Sequence, residues 1–130
     1  GESCGTAVEM GATCYCSFNV LKGAAKKWGV RDVQFYRNDY FTAPEMAAPR
    51  RFFATTGQSY TRDGVNHSED ATLAARNALL NMIDHLVEER GFTRQQAYAI
   101  CSVAVDLKIS ELVDVPNFVV SAFLPLDIFV

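Results

Sequence analysis

The stretch SEDATLAARNALLNMIDHLVEERGFTRQQAYAICSVAVDL, residues 68–107, decides the fold of this 130-residue chain. From Glu69 to Arg90 its apolar residues recur at steps of three and four, which is the repeat of one helix face. These residues are Ala75, Leu79, Met82, Ile83, Leu86 and Val87. Ser68 can cap the start of the helix, and Gly91 can take the left-handed conformation that ends it. The pattern predicts a long amphipathic helix.

A second helix follows directly in the same stretch. Thr93 and Gln96 form a T-x-x-Q capping box ahead of the apolar run Ala97 to Val105. A helix that is apolar nearly all round has to be buried on most sides. We therefore expect a helical hairpin, in which the first helix covers one flank of the second and a sheet covers the other.

Strand patterns fill much of the remaining chain. Those before the helices are Thr6–Met10, Ala12–Val20, Asp32–Arg37 and Arg50–Thr55, with a helical turn at Lys22–Gly29 and with Thr56-Gly57 ending the last strand. After the helices, residues 108–115 and 118–123 flank Pro116-Asn117, whose turn chemistry predicts a β-hairpin. The sequence therefore predicts an α+β fold: a β-rich N-terminal part at residues 1–49, then a strand, two helices and a β-hairpin at residues 50–130.

Composition excludes several classes of partner. The net charge is -3, and no stripe of Lys and Arg interleaved with aromatic residues is present, so we expect no nucleic-acid partner. No apolar run reaches the roughly 18 residues of a spanning helix, and no signal peptide opens the sequence. We expect a soluble, cytoplasmic protein without a membrane partner.

The four cysteines are Cys4, Cys14, Cys16 and Cys101. A chain with 49% hydrophobic residues does not need disulfides to fold, so we expect reduced thiols. Cys14 and Cys16 would be neighbours on one face of a strand, which is a poor geometry for a bond between them. Zinc binding by this C-x-C pair and a distant third cysteine stays open, although the paired C-x2-C spacing is missing.

Three carboxylates are candidates for a functional site. Glu2 and Glu9 bracket a strand entry, and two neighbouring acids can divide acid and base roles; alternatively, both are solvated groups near a terminus. Asp106 follows a buried helix at the negative end of its dipole, where a carboxylate is disfavoured by about 0.3 to 1 kcal/mol. It therefore needs a partner, either structural, such as Lys108 or a backbone amide, or at a functional site.

The two histidines show no ligand or catalytic spacing. No H-E-x-x-H motif joins His67 and His85, and we expect His85 to face solvent beside Asp84 and Glu88 and His67 to help the helix cap. The serines lack a G-x-S-x-G setting, and the glycines form no phosphate-binding loop.

Several stretches, in order along the chain, resemble one known family. Gly1-Glu-Ser-Cys-Gly-Thr-Ala-Val-Glu9 is similar to the end of a G-D-G-E-x-x-G-T-A-x-E segment. Phe53-Ala-Thr-Thr-Gly57 is similar to a segment that precedes a C-terminal signature, and residues 102–110, 113–117 and 120–125 are similar to that signature. The family that carries these segments is the acetamidase/formamidase family.

The resemblance implies a hydrolase of short aliphatic amides that yields ammonia and a carboxylate. It also implies a β-sandwich with a C-terminal α+β subdomain, so residues 1–49 would be a sandwich portion of an incomplete catalytic domain. The family's upstream half, with its G-D-x-H-A-x-Q segment, has no counterpart in this sequence. The His, Asp and Gln residues of that segment are the expected partners of Glu2 around a metal or a catalytic water.

The resemblance also assigns roles and partners. Glu2 would be the base or a ligand of a divalent metal such as zinc. Glu9 would be an acid that either faces the substrate or supports the groups that touch it, and Asp106 would be a distant support. The expected partners are the upstream half of the enzyme or a separate chain in its place, a small amide substrate, and further copies in a homo-oligomer. The alternative is a non-enzymatic assembly or binding module that retains the fold.

Overall fold

The computed structural model of this chain describes residues 9–32, 51–113 and 115–129, which separate into two compact units. The N-terminal unit comprises residues 9–32, and the C-terminal unit comprises the other described residues. The predicted boundary between residues 49 and 50 lies outside the described residues and stays a prediction.

The N-terminal unit contains one short helix, α1, at Ala24–Trp28. Gly29 ends it at a φ of 66°, which confirms the predicted helical turn and its stop. The strand predicted at Ala12–Val20 is wrong, because residues 9–21 carry no strand and are exposed throughout. A strand needs a hydrogen-bonded neighbour, and alternation in the sequence cannot supply one. The other predicted strands of this part, Thr6–Met10 and Asp32–Arg37, lie mostly outside the described residues.

The C-terminal unit is a three-stranded antiparallel sheet with a helical pair. Its strands are β1 (Phe52–Gln58), β2 (Asp106–Glu111) and β3 (Val119–Pro125), and their order in the sheet is β1-β3-β2. Helices α2 (Ala71–Arg90) and α3 (Arg94–Ala104) lie between β1 and β2 in sequence, and a 3-10 turn at Leu126–Ile128 follows β3. This arrangement confirms the predicted α+β fold. None of the described helices is both long and apolar enough to cross a membrane.

The start of α2 differs from the prediction. Asp70, and not Ser68, caps the helix, since its carboxylate accepts a bond from the Leu73 amide at 2.9 Å. Glu69 has a φ of 62°, so helical backbone angles can begin only after that residue. The other helix-end predictions are confirmed: Gly91 takes a φ of 69°, and Thr93 forms its reciprocal capping box with Gln96.

The core lies where α2, α3 and the sheet meet. Its buried side chains are Ala78, Met82, Ile83, Leu86, Ala97, Cys101, Val105, Ala122 and Leu124. The helical hairpin is confirmed, because α2 and α3 pack on each other. The prediction that α3 is buried on most sides is wrong, since α2 takes nearly all helix contacts with the sheet. Tyr98 and Val103 of α3 consequently remain 42% and 53% exposed.

The predicted hairpin is confirmed, with different strand ends. β2 begins at Asp106, and its pairing with β3 shifts register between Ile109 and Glu111. β1 continues through Thr56 and Gly57 to Gln58, so the predicted stop at these two residues is wrong. Gly57 still pairs with Val120, and Gln58 after it pairs with Val119, so Gly57 does not end the strand.

Candidate functional site

The structure describes two of the three predicted carboxylates and places them in different settings. Glu2 lies outside the described residues. Glu9 is exposed in the N-terminal unit, and Asp106 is exposed at the first position of β2 in the C-terminal unit. Glu9 and Asp106 thus belong to different compact units, and their roles stay predictions.

Asp106 lies beyond the end of α3 and not on its last turn. The helix ends at Ala104, and the Val105 amide donates to the carbonyl of Cys101. Asp106 then pairs in register with Phe123, where water can solvate its carboxylate. Lys108, its suggested partner, places Nζ 4.5 Å from the centroid of the Phe123 ring. Solvation of the Asp106 carboxylate therefore offsets its unfavourable interaction with the negative end of the α3 dipole.

Both histidines have structural roles: the His85 ring packs on another ring, and the His67 backbone accepts a hydrogen bond. His85 does not face solvent as predicted, because its ring stacks on Phe53 at 3.8 Å between centroids and 18° between planes. His67 supports the start of α2 through its carbonyl, which accepts from the Asp70 amide at 3.0 Å. Within residues 9–32, 51–113 and 115–129, no three His, Cys, Asp or Glu side chains are grouped as a metal site requires.

A polar cleft of about 340 Å³ lies where β1 meets α2. The described residues that line it are Thr56, Gly57, Gln58, Tyr60, Thr61, Arg62, Asn77 and Asn81. These are amide, hydroxyl, guanidinium and backbone groups, which can orient a small polar molecule by hydrogen bonds. Amide hydrolysis also needs a group that takes a proton from water, and this lining has no carboxylate or imidazole.

Two asparagines of the cleft bind the carbonyls of β1 and its continuation. Asn77 Nδ2 donates to the carbonyls of Gln58 at 2.8 Å and Tyr60 at 2.6 Å. Asn81 Nδ2, one helical turn later, donates to the carbonyl of Thr56 at 2.9 Å. These amides therefore attach the edge strand to the helix. Their i, i+4 spacing places both on one face of α2, and that spacing was the signal available in the sequence.

The segment Phe53-Ala-Thr-Thr-Gly57 is the part of β1 that packs against α2. Alternate residues point to α2: Phe53 stacks on His85, and Thr55 Oγ1 donates to the Ala78 carbonyl at 2.7 Å. Gly57 comes closest, since a Cβ there would lie 2.2 Å from the carbonyl oxygen of Ala74. The segment that carries the family resemblance thus packs β1 on α2.

Asp84 joins three segments of the C-terminal unit. Its Oδ1 accepts from Arg94 of α3 at 2.7 Å, and its Oδ2 accepts from Arg62 of the cleft at 3.0 Å. The guanidinium of Arg94, followed by that of Arg62, holds the pKa of Asp84 below its ordinary value. The Asp84 side chain is 40% exposed, so solvent screens both pairs.

We expect Asp84→Asn to lower the free energy of unfolding at pH 7 by up to about 1 kcal/mol, the upper range for exposed ion pairs. Because the folded-state pKa is lowered, the stabilisation is present above the unfolded pKa of about 4 and is lost as pH falls through the folded value. Urea unfolding of both proteins at pH 7 and pH 3 measures the difference. Glu88→Gln, at an exposed position of α2, is the control. If the difference in unfolding free energy between the wild type and Asp84→Asn did not shrink at pH 3, the stabilisation would not come from the ion pairs.

The described cysteines differ in exposure. Cys14 and Cys16 are exposed free thiols whose Sγ atoms lie 3.0 Å apart. Residues 9–21, which contain both, do not form the predicted strand. Cys101 is buried in the core.

Comparison with known proteins identifies the family. The acetamidase/formamidase family matches this chain over residues 1–130. The chain belongs to the acetamidase/formamidase family. Among family proteins, a formamidase of Methylophilus methylotrophus is 31% identical over 127 residues, which cover 97% of this chain and 30% of that protein. The chain therefore spans less than a third of the length of this curated relative.

A solved structure shows the same fold. A gamma lactamase from Delftia acidovorans superposes with a TM-score of 0.70 and 33% sequence identity, over 84% of this chain and 26% of that protein. This likeness agrees with the predicted α+β class. The resemblance inferred from the ordered motifs is confirmed.

Proposed function

We propose that this chain is the C-terminal portion of an amidohydrolase that converts short aliphatic amides, formamide and acetamide, to ammonia and the carboxylate. The observation that carries the proposal is the 31% identity to a formamidase across 97% of the chain. The chain covers 30% of that protein, so further residues of a complete enzyme are expected to take part in the reaction.

The described residues contribute a scaffold and polar groups. The cleft between β1 and α2 offers amide and hydroxyl groups, but its described lining has no carboxylate or imidazole to accept a proton from water. We therefore assign the chemical step to Glu2, together with residues supplied by the upstream half of the enzyme. Asn77 and Asn81 hold the cleft in shape through their bonds to β1 and to Tyr60.

Amide hydrolysis needs an activated water, a polarised carbonyl and a proton for the departing amine. In the proposed mechanism Glu2 takes the proton from the attacking water, Glu9 acts as the second acid, and Asp106 gives distant support. A divalent metal, with zinc as the proposed ion and Glu2 as one ligand, would lower the pKa of bound water. The described residues do not themselves group three metal ligands, so the other ligands would come from residues outside them.

The exposed edge of the described sheet supports the proposed partners. β1 and β2 flank β3 in the described sheet, and every residue of β2 from Asp106 to Ser110 is exposed. An exposed edge strand can pair with another chain. We propose that the upstream half, or a separate chain in its place, and sister copies associate with this portion in the cytoplasm. A monomer in sedimentation velocity at micromolar concentration, with no second polypeptide present, would count against association.

The test is ammonia release from formamide and acetamide, measured for the chain alone and with an added upstream chain. We expect release only from the combined sample, because the proposed proton acceptor needs its upstream partners. The upstream chain alone is the control and should release none. Absence of ammonia in every sample would overturn the proposal and favour a non-enzymatic assembly or binding module.

A further inference from the structure

Cys14 and Cys16 form an exposed pair of thiols outside the cleft. Their Sγ atoms lie 3.0 Å apart, and both residues are exposed in the N-terminal unit. Cys101, by contrast, is 2% exposed in the core of the C-terminal unit. An oxidant in solution can therefore reach the pair much more readily than the buried thiol.

Little movement separates this contact from a covalent bond. The sulfurs of a disulfide lie about 2.05 Å apart, so Cys14 Sγ and Cys16 Sγ need to approach by about 1 Å. Residues 9–21 carry neither helix nor strand, so the approach breaks no regular hydrogen-bond ladder in that segment. The backbone between the cysteines can adjust without disturbing a packed element.

We propose that Cys14 and Cys16 are a redox-active dithiol site, which a low-molecular-weight disulfide such as oxidised glutathione converts to an intramolecular disulfide. One protein thiolate attacks a sulfur of the oxidant and releases the first glutathione thiol. The second protein thiolate then attacks the mixed disulfide and releases the second. The two protein thiols lose two protons and two electrons in total, and one oxidised glutathione takes them up to become two reduced molecules.

The hydrogen bond between the thiols affects the pH dependence of this reaction. The contact with Cys14, followed by desolvation, raises the pKa of Cys16. Cys16 therefore keeps its proton to higher pH than an isolated thiol. Because the thiolate is the attacking species, closure should accelerate as pH rises above neutrality.

Peptide mapping after incubation with oxidised glutathione tests the proposal. Cleavage after Glu9 and after Lys22, by a glutamate-specific protease and trypsin, yields residues 10–22, which contain Cys14 and Cys16 but not Cys4 or Cys101. We expect this peptide to lose two hydrogens and to carry no glutathione. Cys14→Ser and Cys16→Ser should instead retain one glutathione, because the second thiol is missing. Cys101→Ala, the control, should behave as the wild type.

Three results would overturn the proposal. The wild-type peptide could remain reduced at millimolar oxidised glutathione, retain glutathione as the single-cysteine variants do, or be linked to the peptide that contains Cys4. Each would mean that the two sulfurs do not react with each other. The mapping does not depend on amide hydrolysis, so its outcome is separate from that of the proposed function.

Discussion

Gly57→Ala should lower the free energy of unfolding of the C-terminal unit by about 3 kcal/mol or more, the upper range for overpacking. An added Cβ would lie 2.2 Å from the Ala74 carbonyl oxygen and 2.3 Å from the Ala78 nitrogen. Both are backbone atoms of α2, so no side-chain rotation can relieve the clash. The helix must move away from β1, which also breaks the bond from Thr55 Oγ1 to the Ala78 carbonyl.

Chemical denaturation followed by circular dichroism measures this loss. Thr56→Ala is the matched control, because Thr56 is the neighbouring strand residue and its side chain is exposed. The free energy of unfolding of Thr56→Ala should differ from that of the wild type by no more than about 1 kcal/mol, which is the range of strand propensities. If Gly57→Ala were no more destabilising than Thr56→Ala, the close approach of β1 and α2 would not matter for stability.

Glu2→Gln should abolish amide hydrolysis in the combined sample while leaving its fold and assembly unchanged. The substitution replaces a carboxylate that can accept a proton with a nearly isosteric amide that cannot. Loss of a general base alone lowers a rate by about 100- to 10,000-fold, and loss of a metal ligand would add to this. Ammonia release from formamide gives the rate, and circular dichroism and sedimentation report fold and assembly.

Glu89→Gln is the matched control for Glu2→Gln. Glu89 is an exposed residue of α2, and the same carboxylate-to-amide change there should leave ammonia release unaltered. Full activity in Glu2→Gln would remove Glu2 from the mechanism. The amidase assignment would then rest on family membership alone, which does not identify a site.

Local patterns in the sequence predicted the helical pair and the hairpin. Gly91 and the Thr93–Gln96 capping box act over a few residues, so their chemistry is visible without knowledge of the fold. The turn at Pro116-Asn117 likewise joins two strands that are adjacent in sequence. Family membership was also predictable, because the matching segments occur in order along the chain.

The sequence alone could not place contacts between distant segments. Alternation in Ala12–Val20 predicted a strand, but a strand depends on a neighbour that the pattern does not reveal. For the same reason Cys14 and Cys16 do not lie on the strand face where the sequence placed them. His85 was expected in solvent because its sequence neighbours are acidic, whereas Phe53, far away in sequence, decides its position.

The sequence by itself determined the α+β class, the helix ends at Gly91 and Thr93, the hairpin and the family. These depend on short-range chemistry and on residue order. Only the tertiary structure decided why Gly57 lies within a strand and what Asn77 does. Gly57 is required by the helix that approaches it, and Asn77 binds carbonyls 17 and 19 positions away. Such roles arise when packing brings separate segments within bonding distance, which no local pattern encodes.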